Sequence, residues 1–144
     1  MTEALRSHFS DYAAFHRTAG NKACHSFGIP LIVLSTLALL ARLPLFTAGG
    51  FTVTPAEVLI VLFVAYFLTL DTSLAGLMLV AYAILDAVGR FIPPLPATGL
   101  LALGWILQGV GHYVYEKNSP AFFRNFVHLG VGQLWILAKA TGRA

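Results

Sequence analysis

The chain has 144 residues, of which 58% are hydrophobic and only 10% are charged. A soluble domain of this size needs many more charged residues to cover its surface, so this composition excludes an ordinary soluble globule and indicates a protein surrounded by lipid. The net charge of +3 comes from dispersed residues, unlike the basic stripe of a nucleic-acid-binding protein, and we expect no nucleic-acid partner.

Residues 2–26 are predicted to form an amphipathic lead-in helix, because Leu5, Phe9 and Tyr12 recur at helical spacing. No cleavable signal peptide is expected, so the first apolar segment should stay in the protein as an anchor. A bilayer core needs about 17–25 apolar residues per helix. Four segments are predicted to span it: 29–46, 56–70, 74–92 and 98–115.

The last segment, 120–139, mixes large apolar residues with Arg124, Asn125, His128 and Gln133. This mixture is typical of a helix at the membrane interface and not of a fifth span. We therefore predict an all-α, polytopic protein with four transmembrane helices, organised as a single membrane domain over residues 1–144.

The basic residues predict the orientation of these spans. Seven of the nine lie before the first span or after the fourth, and only Arg42 and Arg90 lie near the opposite face. By the positive-inside rule, both termini are cytoplasmic, which an even number of spans allows.

The five histidines are predicted to lie near one membrane face. His8, His16 and His25 belong to the lead-in, His112 lies near the end of the fourth span, and His128 lies in the last segment. With both termini inside, all of them approach the cytoplasmic boundary. Three separated parts of the chain therefore bring imidazoles to the same region.

Helical spacing groups these histidines with other polar residues. Tyr12 and His16 are four residues apart, as are Asn21 and His25, so each pair shares a helix face. A second polar face lies on the fourth span, where the residues recur every four positions: Gln108, His112 and Glu116. Polar groups that face lipid are costly, so this face should point inward.

Two glycines beside this polar face, Gly104 and Gly111, would let a neighbouring helix approach closely. Several imidazoles with one carboxylate suit Fe, Zn or Cu, and the sequence does not select among these metals. We predict a metal site at His16, His25 and His112.

Other polar residues have simpler interpretations. Glu116 is either part of the metal site or a partner of Lys117 or Arg124 at the headgroups. His8 is interpreted as a hydrogen-bonded surface residue, and the role of His128 stays open. Asp71 is expected to cap a helix, and Asp86 to be a buried hydrogen-bonding group or part of a polar path. Cys24 is the only cysteine, which excludes an internal disulfide.

Two blocks of sequence resemble the Mpo-type 2-hydroxy fatty acid dioxygenases. The first is Tyr12-x3-His16-x4-Asn21-x3-His25, followed by Gly28-x-Pro30. The second is Gln108-x2-Gly111-His112-x3-Glu116-Lys117, followed by Pro120-Ala121. Together the blocks and the apolar segments between them cover nearly the whole chain.

The resemblance implies an Fe(II)-dependent membrane enzyme of fatty acid α-oxidation, which uses O2 to convert a 2-hydroxy fatty acid to the acid one carbon shorter. It implies His16, His25 and His112 as iron ligands. We assign Glu116 as a further catalytic residue, either a ligand or a group that orients one. The remaining candidates are assigned to the surroundings of the metal or to the substrate: Tyr12, Asn21, Gln108 and His128. The setting would be the inner membrane of a bacterium or the endoplasmic reticulum of a eukaryote.

Three alternatives stay open from the residues alone. A non-catalytic membrane scaffold would use the histidines only to line the interface. A haem protein would place paired histidines on facing helices within the bilayer, whereas His16 and His25 precede the first span. A zinc protein would use the same ligand types as the iron enzyme.

Overall fold

The structure is a computed structural model that describes residues 1–120, 123 and 126–143. Ala121 of the second motif block and Arg124 and Asn125 of the last predicted segment lie outside the described residues. Six α-helices dominate the described chain, so the prediction of a helical protein is confirmed. They are α1 (Glu3–Ala14), α2 (Ala19–Leu40), α3 (Pro55–Leu70), α4 (Thr72–Gly89), α5 (Pro94–Gly109) and α6 (Val127–Ala140).

The amphipathic lead-in is shorter than predicted. The α1 helix begins after Thr2, whose side chain accepts a hydrogen bond from the Leu5 amide, and it buries Leu5, Phe9 and Tyr12. It ends at Ala14, and α2 begins at Ala19 after a short turn. The helix that contains most of the first predicted span, α2, begins ten residues before and ends six residues before the predicted bounds of 29–46.

A small β-hairpin separates α2 from α3 and was not predicted. Strand β1 (Phe46–Ala48) pairs antiparallel with β2 (Phe51–Val53), with Phe46 opposite Val53. Gly49 and Gly50 form the turn with φ values of 56° and 80°, which glycine adopts without the steric cost of a Cβ. The hairpin occupies most of the predicted interval between the spans 29–46 and 56–70, where its residues pair instead of forming a loop.

Helices α3 and α4 form a packed pair whose ends are capped. The Thr54 hydroxyl and the Glu57 carboxylate form a capping box at the start of α3. Asp71 accepts a hydrogen bond of 2.9 Å from the Leu74 amide, as the prediction of a helix cap requires. Asp86 is 8% exposed and accepts a bond of 2.9 Å from Arg90 Nε, so it is a buried hydrogen-bonding group.

Helix α5 continues directly into a π-helical segment, Val110–Glu116. Its i→i+5 hydrogen bonds make a wider turn than those of an α-helix, and such segments occur often at functional sites. The segment ends at Lys117, whose φ of 54° is left-handed. The sequence predicted one uniform helix here, so this change in helix type is a finding of the structure.

Two helices of the described chain are long and apolar enough to cross a membrane, Ala19–Leu40 and Thr72–Gly89. Helix Pro55–Leu70 is apolar but shorter. Large apolar side chains on α3 and α4 are exposed, as is expected of helices that face lipid. The most exposed are Val61 (65%), Leu62 (63%), Val80 (58%) and Ile84 (58%).

The chain divides into two compact units. The first contains Met1–Pro30 and Leu103–Ala144, and the second contains Leu31–Ala102. The second unit includes the hairpin, α3 and α4. All five histidines lie in the first unit, which therefore holds the candidate site. The single domain predicted over residues 1–144 stays a prediction.

Candidate metal centre

Three buried imidazoles meet in the first unit. His16 lies in the turn after α1, His25 lies on α2, and His112 lies on the π-helical segment. Their residues are 2%, 3% and 2% exposed, respectively. One nitrogen from each ring lies within 4.8 Å of the others. The structure thus brings together the three histidines that the sequence singled out, and we call them the histidine triad.

Hydrogen bonds hold two rings of the triad in defined orientations. His16 Nδ1 lies 2.6 Å from the Tyr12 carbonyl oxygen, and His25 Nδ1 lies 3.0 Å from the Asn21 carbonyl oxygen. A carbonyl only accepts, so each Nδ1 carries the proton and each Nε2 keeps its lone pair. A backbone carbonyl that fixes the tautomer in this way is the usual partner of a metal-binding histidine.

Two ring nitrogens of the triad are buried without a partner among the described residues. His16 Nε2 and His112 Nδ1 are buried and have no hydrogen-bond partner within the described part of the chain. Burial lowers the pKa of His16 to about 4, although its bond to the Tyr12 carbonyl opposes this effect. His16 is therefore neutral at physiological pH, which is the protonation state that binds a metal.

The triad fits a transition-metal ion. Two imidazole nitrogens that bind one ion at about 2.1 Å each are at most about 4.2 Å apart. The separations of up to 4.8 Å require only a small rotation of the rings. Unpaired buried nitrogen atoms are otherwise costly, so a bound cation would explain why they lie here. Neutral imidazole suits iron, zinc and copper alike.

Close contact between α2 and the α5–π helix makes the triad possible. A Cβ at Gly111 would lie 2.5 Å from Asn21 Oδ1, 3.1 Å from Cys24 Cβ and 3.2 Å from His25 Nδ1. The prediction that Gly111 permits a close helix approach is therefore confirmed. At Gly28, a Cβ would lie 3.0 Å from the Gly104 carbonyl oxygen. These contacts run in opposite directions along the two segments, which are thus antiparallel.

The Glu116 carboxylate binds the turn that carries His16. It accepts hydrogen bonds from the Arg17 amide (2.9 Å), the Thr18 amide (3.1 Å) and the Thr18 hydroxyl (3.0 Å). It also accepts one from Asn21 Nδ2 at 3.1 Å. Burial raises the pKa of Glu116, but the bonds from Thr18 and Arg17 outweigh burial and lower it to about 2. The carboxylate stays charged and joins the π-helical segment to the start of α2.

Replacing Glu116 with glutamine should loosen the turn without removing a metal ligand. An amide offers one acceptor oxygen in place of two, and its NH2 group would face the amides of Arg17 and Thr18. A bond to a charged group contributes about 1.5–3 kcal/mol, and Glu116 is partly exposed, so we expect a loss near 1.5 kcal/mol. Thermal unfolding in detergent would measure this loss.

The metal readout separates two roles for Glu116. For a positioning residue, we expect iron affinity to fall by about 10–100-fold while full occupancy returns at high iron concentration. Loss of iron at every concentration would instead identify Glu116 as a direct ligand. Glu3→Gln, at an exposed position in α1, is the matched control and should change neither property.

Tyr12 packs against His16, and His128 packs against Tyr12. The Tyr12 ring stacks on the His16 ring with 3.8 Å between centroids and 13° between planes. The His128 ring on α6 packs edge-on against the Tyr12 ring, with 6.1 Å between centroids. The Trp135 ring is tilted against Tyr12, with 5.4 Å between centroids. Burial lowers the pKa of His128. These contacts place His128 against Tyr12, whereas His8 is half-buried and outside the triad.

Two further candidates have buried polar atoms without a partner in the described structure. Asn21 donates to the Phe15 carbonyl and to Glu116, but its Oδ1 is unpaired beside Gly111. The Gln108 Nε2 is also unpaired, and it packs against Gly28. Sequence spacing found both residues. Sequence spacing missed Thr18, whose hydroxyl donates to Glu116, because a single threonine forms no recognisable pattern.

The fold and the site define a helical protein with apolar, membrane-length helices and a buried triad of histidines that could bind a metal. The profile of one family, described as 2-hydroxy-palmitic acid dioxygenase Mpo1-like, matches residues 2–144. The chain belongs to this family, as its two motif blocks predicted.

A curated relative supports this membership. The chain is 36% identical over 130 residues to the 2-hydroxy-palmitic acid dioxygenase MPO1 of Saccharomyces cerevisiae. The alignment covers 85% of this chain and 71% of the yeast protein. No solved structure matches the chain significantly.

Proposed function

We propose that this protein is an Fe(II)-dependent dioxygenase that converts a 2-hydroxy fatty acid to the fatty acid one carbon shorter, with O2 as the co-substrate. The observation that carries the proposal is the buried histidine triad, two of whose ring nitrogens are unpaired in the described part of the chain. The family to which the chain belongs, which is named for a 2-hydroxy-palmitic acid dioxygenase, supports the same conclusion. A non-catalytic scaffold would have no need to bury such nitrogens together.

His16, His25 and His112 would hold the iron. Three protein ligands leave positions open, and iron supplies the means of activating O2 and binding the substrate's oxygen atoms. The chain's own contribution is to fix the rings. The Tyr12 and Asn21 carbonyls hold the proton on Nδ1 of His16 and His25, and Glu116 holds the turn in place.

The substrate's head group suits such a site. A 2-hydroxy acid carries a hydroxyl and a carboxylate on adjacent carbons, both of which can bind a metal ion. Basic residues near the triad would attract the carboxylate. The candidates are exposed: Arg17, Lys22 and Lys117.

The site would lie at the cytoplasmic boundary of a bilayer. We propose the four predicted spans with both termini cytoplasmic, in a bacterial inner membrane or in the endoplasmic reticulum of a eukaryote. The exposed apolar faces of α3 and α4 and the two membrane-length helices support a membrane setting, and the orientation rests on the distribution of basic residues. The acyl chain would then stay among apolar groups while its head group reaches the triad.

Metal analysis followed by turnover tests the proposal. The protein, purified anaerobically in detergent and supplied with Fe(II), should bind close to one iron per chain. Exposure to O2 with a 2-hydroxy fatty acid should then yield the acid one carbon shorter, detected by mass spectrometry. A Soret band, a preference for zinc with no O2 consumption, or no metal under replete conditions would each contradict the proposal.

A further inference from the structure

Gln108 is a buried amide beside the triad with no assigned partner. The residue is 6% exposed, and its Nε2 has no hydrogen-bond partner in the part of the chain that the structure describes. It precedes His112 by four residues on the same helical segment, and it packs against Gly28, which follows His25 by three residues. Both spacings are about one helical turn, so Gln108 lies one turn away from the triad along both helices.

Gln108 lies on the apolar side of the triad. The segment of α2 after Gly28 is mostly apolar, as is the segment of α5 before Gln108. On the other side of the triad lie the polar turn and Glu116. Because α2 and α5 are antiparallel here, Gln108 marks the boundary between the triad and the apolar part of both helices.

A buried amide without a partner costs free energy, since folding removes it from water without replacing its hydrogen bond. Leucine would fill similar space at an apolar boundary without that cost. The side chain is held against α2, since Nε2 is the atom nearest to the position that a Cβ at Gly28 would take. The amide group is therefore held at this position with a hydrogen-bond donor to offer.

We propose that Gln108 recognises the 2-hydroxyl group of the substrate, with Nε2 donating a hydrogen bond to the hydroxyl oxygen. This inference rests on the proposed function. A fatty acid whose carboxylate reaches the triad and whose chain points away from Glu116 and the polar turn places its second carbon on the side of the carboxylate away from that turn. Gln108 lies on that side, so it meets the substituent that distinguishes a 2-hydroxy acid from an ordinary fatty acid.

If Gln108 recognises the 2-hydroxyl group, the protein should bind a 2-hydroxy fatty acid more tightly than the unsubstituted acid, and the difference should depend on Gln108. The iron-loaded protein, kept free of O2 so that no turnover occurs, would be titrated with a 2-hydroxy fatty acid and with the unsubstituted acid of equal length. The wild type should bind the hydroxylated ligand more tightly. In Gln108→Leu the ratio of the two affinities should fall by about tenfold, the value of one hydrogen bond, with the unsubstituted acid bound as before.

A second variant and a control make the test independent of folding. Gln108→Glu keeps the shape but places a carboxylate beside the substrate, and it should weaken the binding of both acids. Gln133→Leu makes the same change on α6, where the amide already donates to the Leu129 carbonyl, and it should alter neither affinity. All variants should retain iron.

Three outcomes would decide against the role of Gln108. An unchanged affinity ratio in Gln108→Leu overturns this inference and leaves the proposed function standing. Loss of iron in Gln108→Leu also overturns it, because the residue would then support the metal. A wild type that does not prefer the hydroxylated acid overturns the inference, and the absence of any chain shortening when O2 is admitted overturns the proposed function as well.

Discussion

Each of the substitutions His16→Ala, His25→Ala and His112→Ala should abolish stoichiometric iron binding. Removing one of three nitrogen ligands leaves two, and even the loss of an outer hydrogen-bond partner of a ligand costs about 10–100-fold in metal affinity. We therefore expect a loss of about 100-fold or more for each variant, together with loss of O2-dependent chain shortening. Iron analysis of protein purified anaerobically is the primary measurement.

His8→Ala is the matched control for these variants. His8 lies on α1, is half-buried, and does not belong to the triad. Its substitution should leave iron content and turnover at the wild-type level. Iron retention in any of the three triad variants would remove that histidine from the ligand set, and retention in all three would refute the metal centre.

Gly111→Ala should disrupt the triad although it changes no ligand. The added Cβ would lie 2.5 Å from Asn21 Oδ1, a distance that Cβ contacts essentially never show. It would also press on His25 Nδ1 at 3.2 Å, and His112 is the next residue in the chain. Relief requires either the Asn21 side chain to leave its bonds to Phe15 and Glu116 or α2 and the π-helical segment to separate. Overpacking of this kind costs about 1–3 kcal/mol.

The expected result for Gly111→Ala is a lower unfolding temperature together with weakened iron binding. Gly109→Ala is the matched control on the same helical segment, because a Cβ there would meet nothing within 4 Å. Replacement of a helical glycine with alanine is worth about 0.5–1 kcal/mol of stability, so this control should be neutral or slightly stabilising. Equal behaviour of the two variants would show that the close approach at Gly111 is not needed for the site.

The helical class and most helix positions were predictable from the sequence because they depend on local properties. The periodicity of the lead-in helix, the apolar segments and a capping residue such as Asp71 can be recognised from neighbouring residues alone. The structure has helices in all of the predicted apolar segments. That these helices make four membrane spans stays a prediction.

Boundaries that depend on distant residues were harder to predict. Residues 15–18 separate α1 from α2, and the amides of Arg17 and Thr18 donate to Glu116, a residue about a hundred positions away. Nothing local marks this break. The hairpin of Phe46–Ala48 and Phe51–Val53 was missed for a related reason, since short strands carry little periodic signal.

Residue types and their spacing were enough to identify the side chains of the candidate site. Histidines and a carboxylate at helical spacing, in a chain with so few polar residues, pointed to His16, His25 and His112, and the motif blocks to one family. How these groups meet depends on contacts between helices, which the three-dimensional structure shows. In the structure, Glu116 accepts hydrogen bonds from the amides of Arg17 and Thr18, and Gln108 Nε2 is unpaired among the described residues. The physical reason is that residue type and spacing fix which groups share a helix face, whereas their hydrogen-bond partners depend on contacts between helices far apart in the chain.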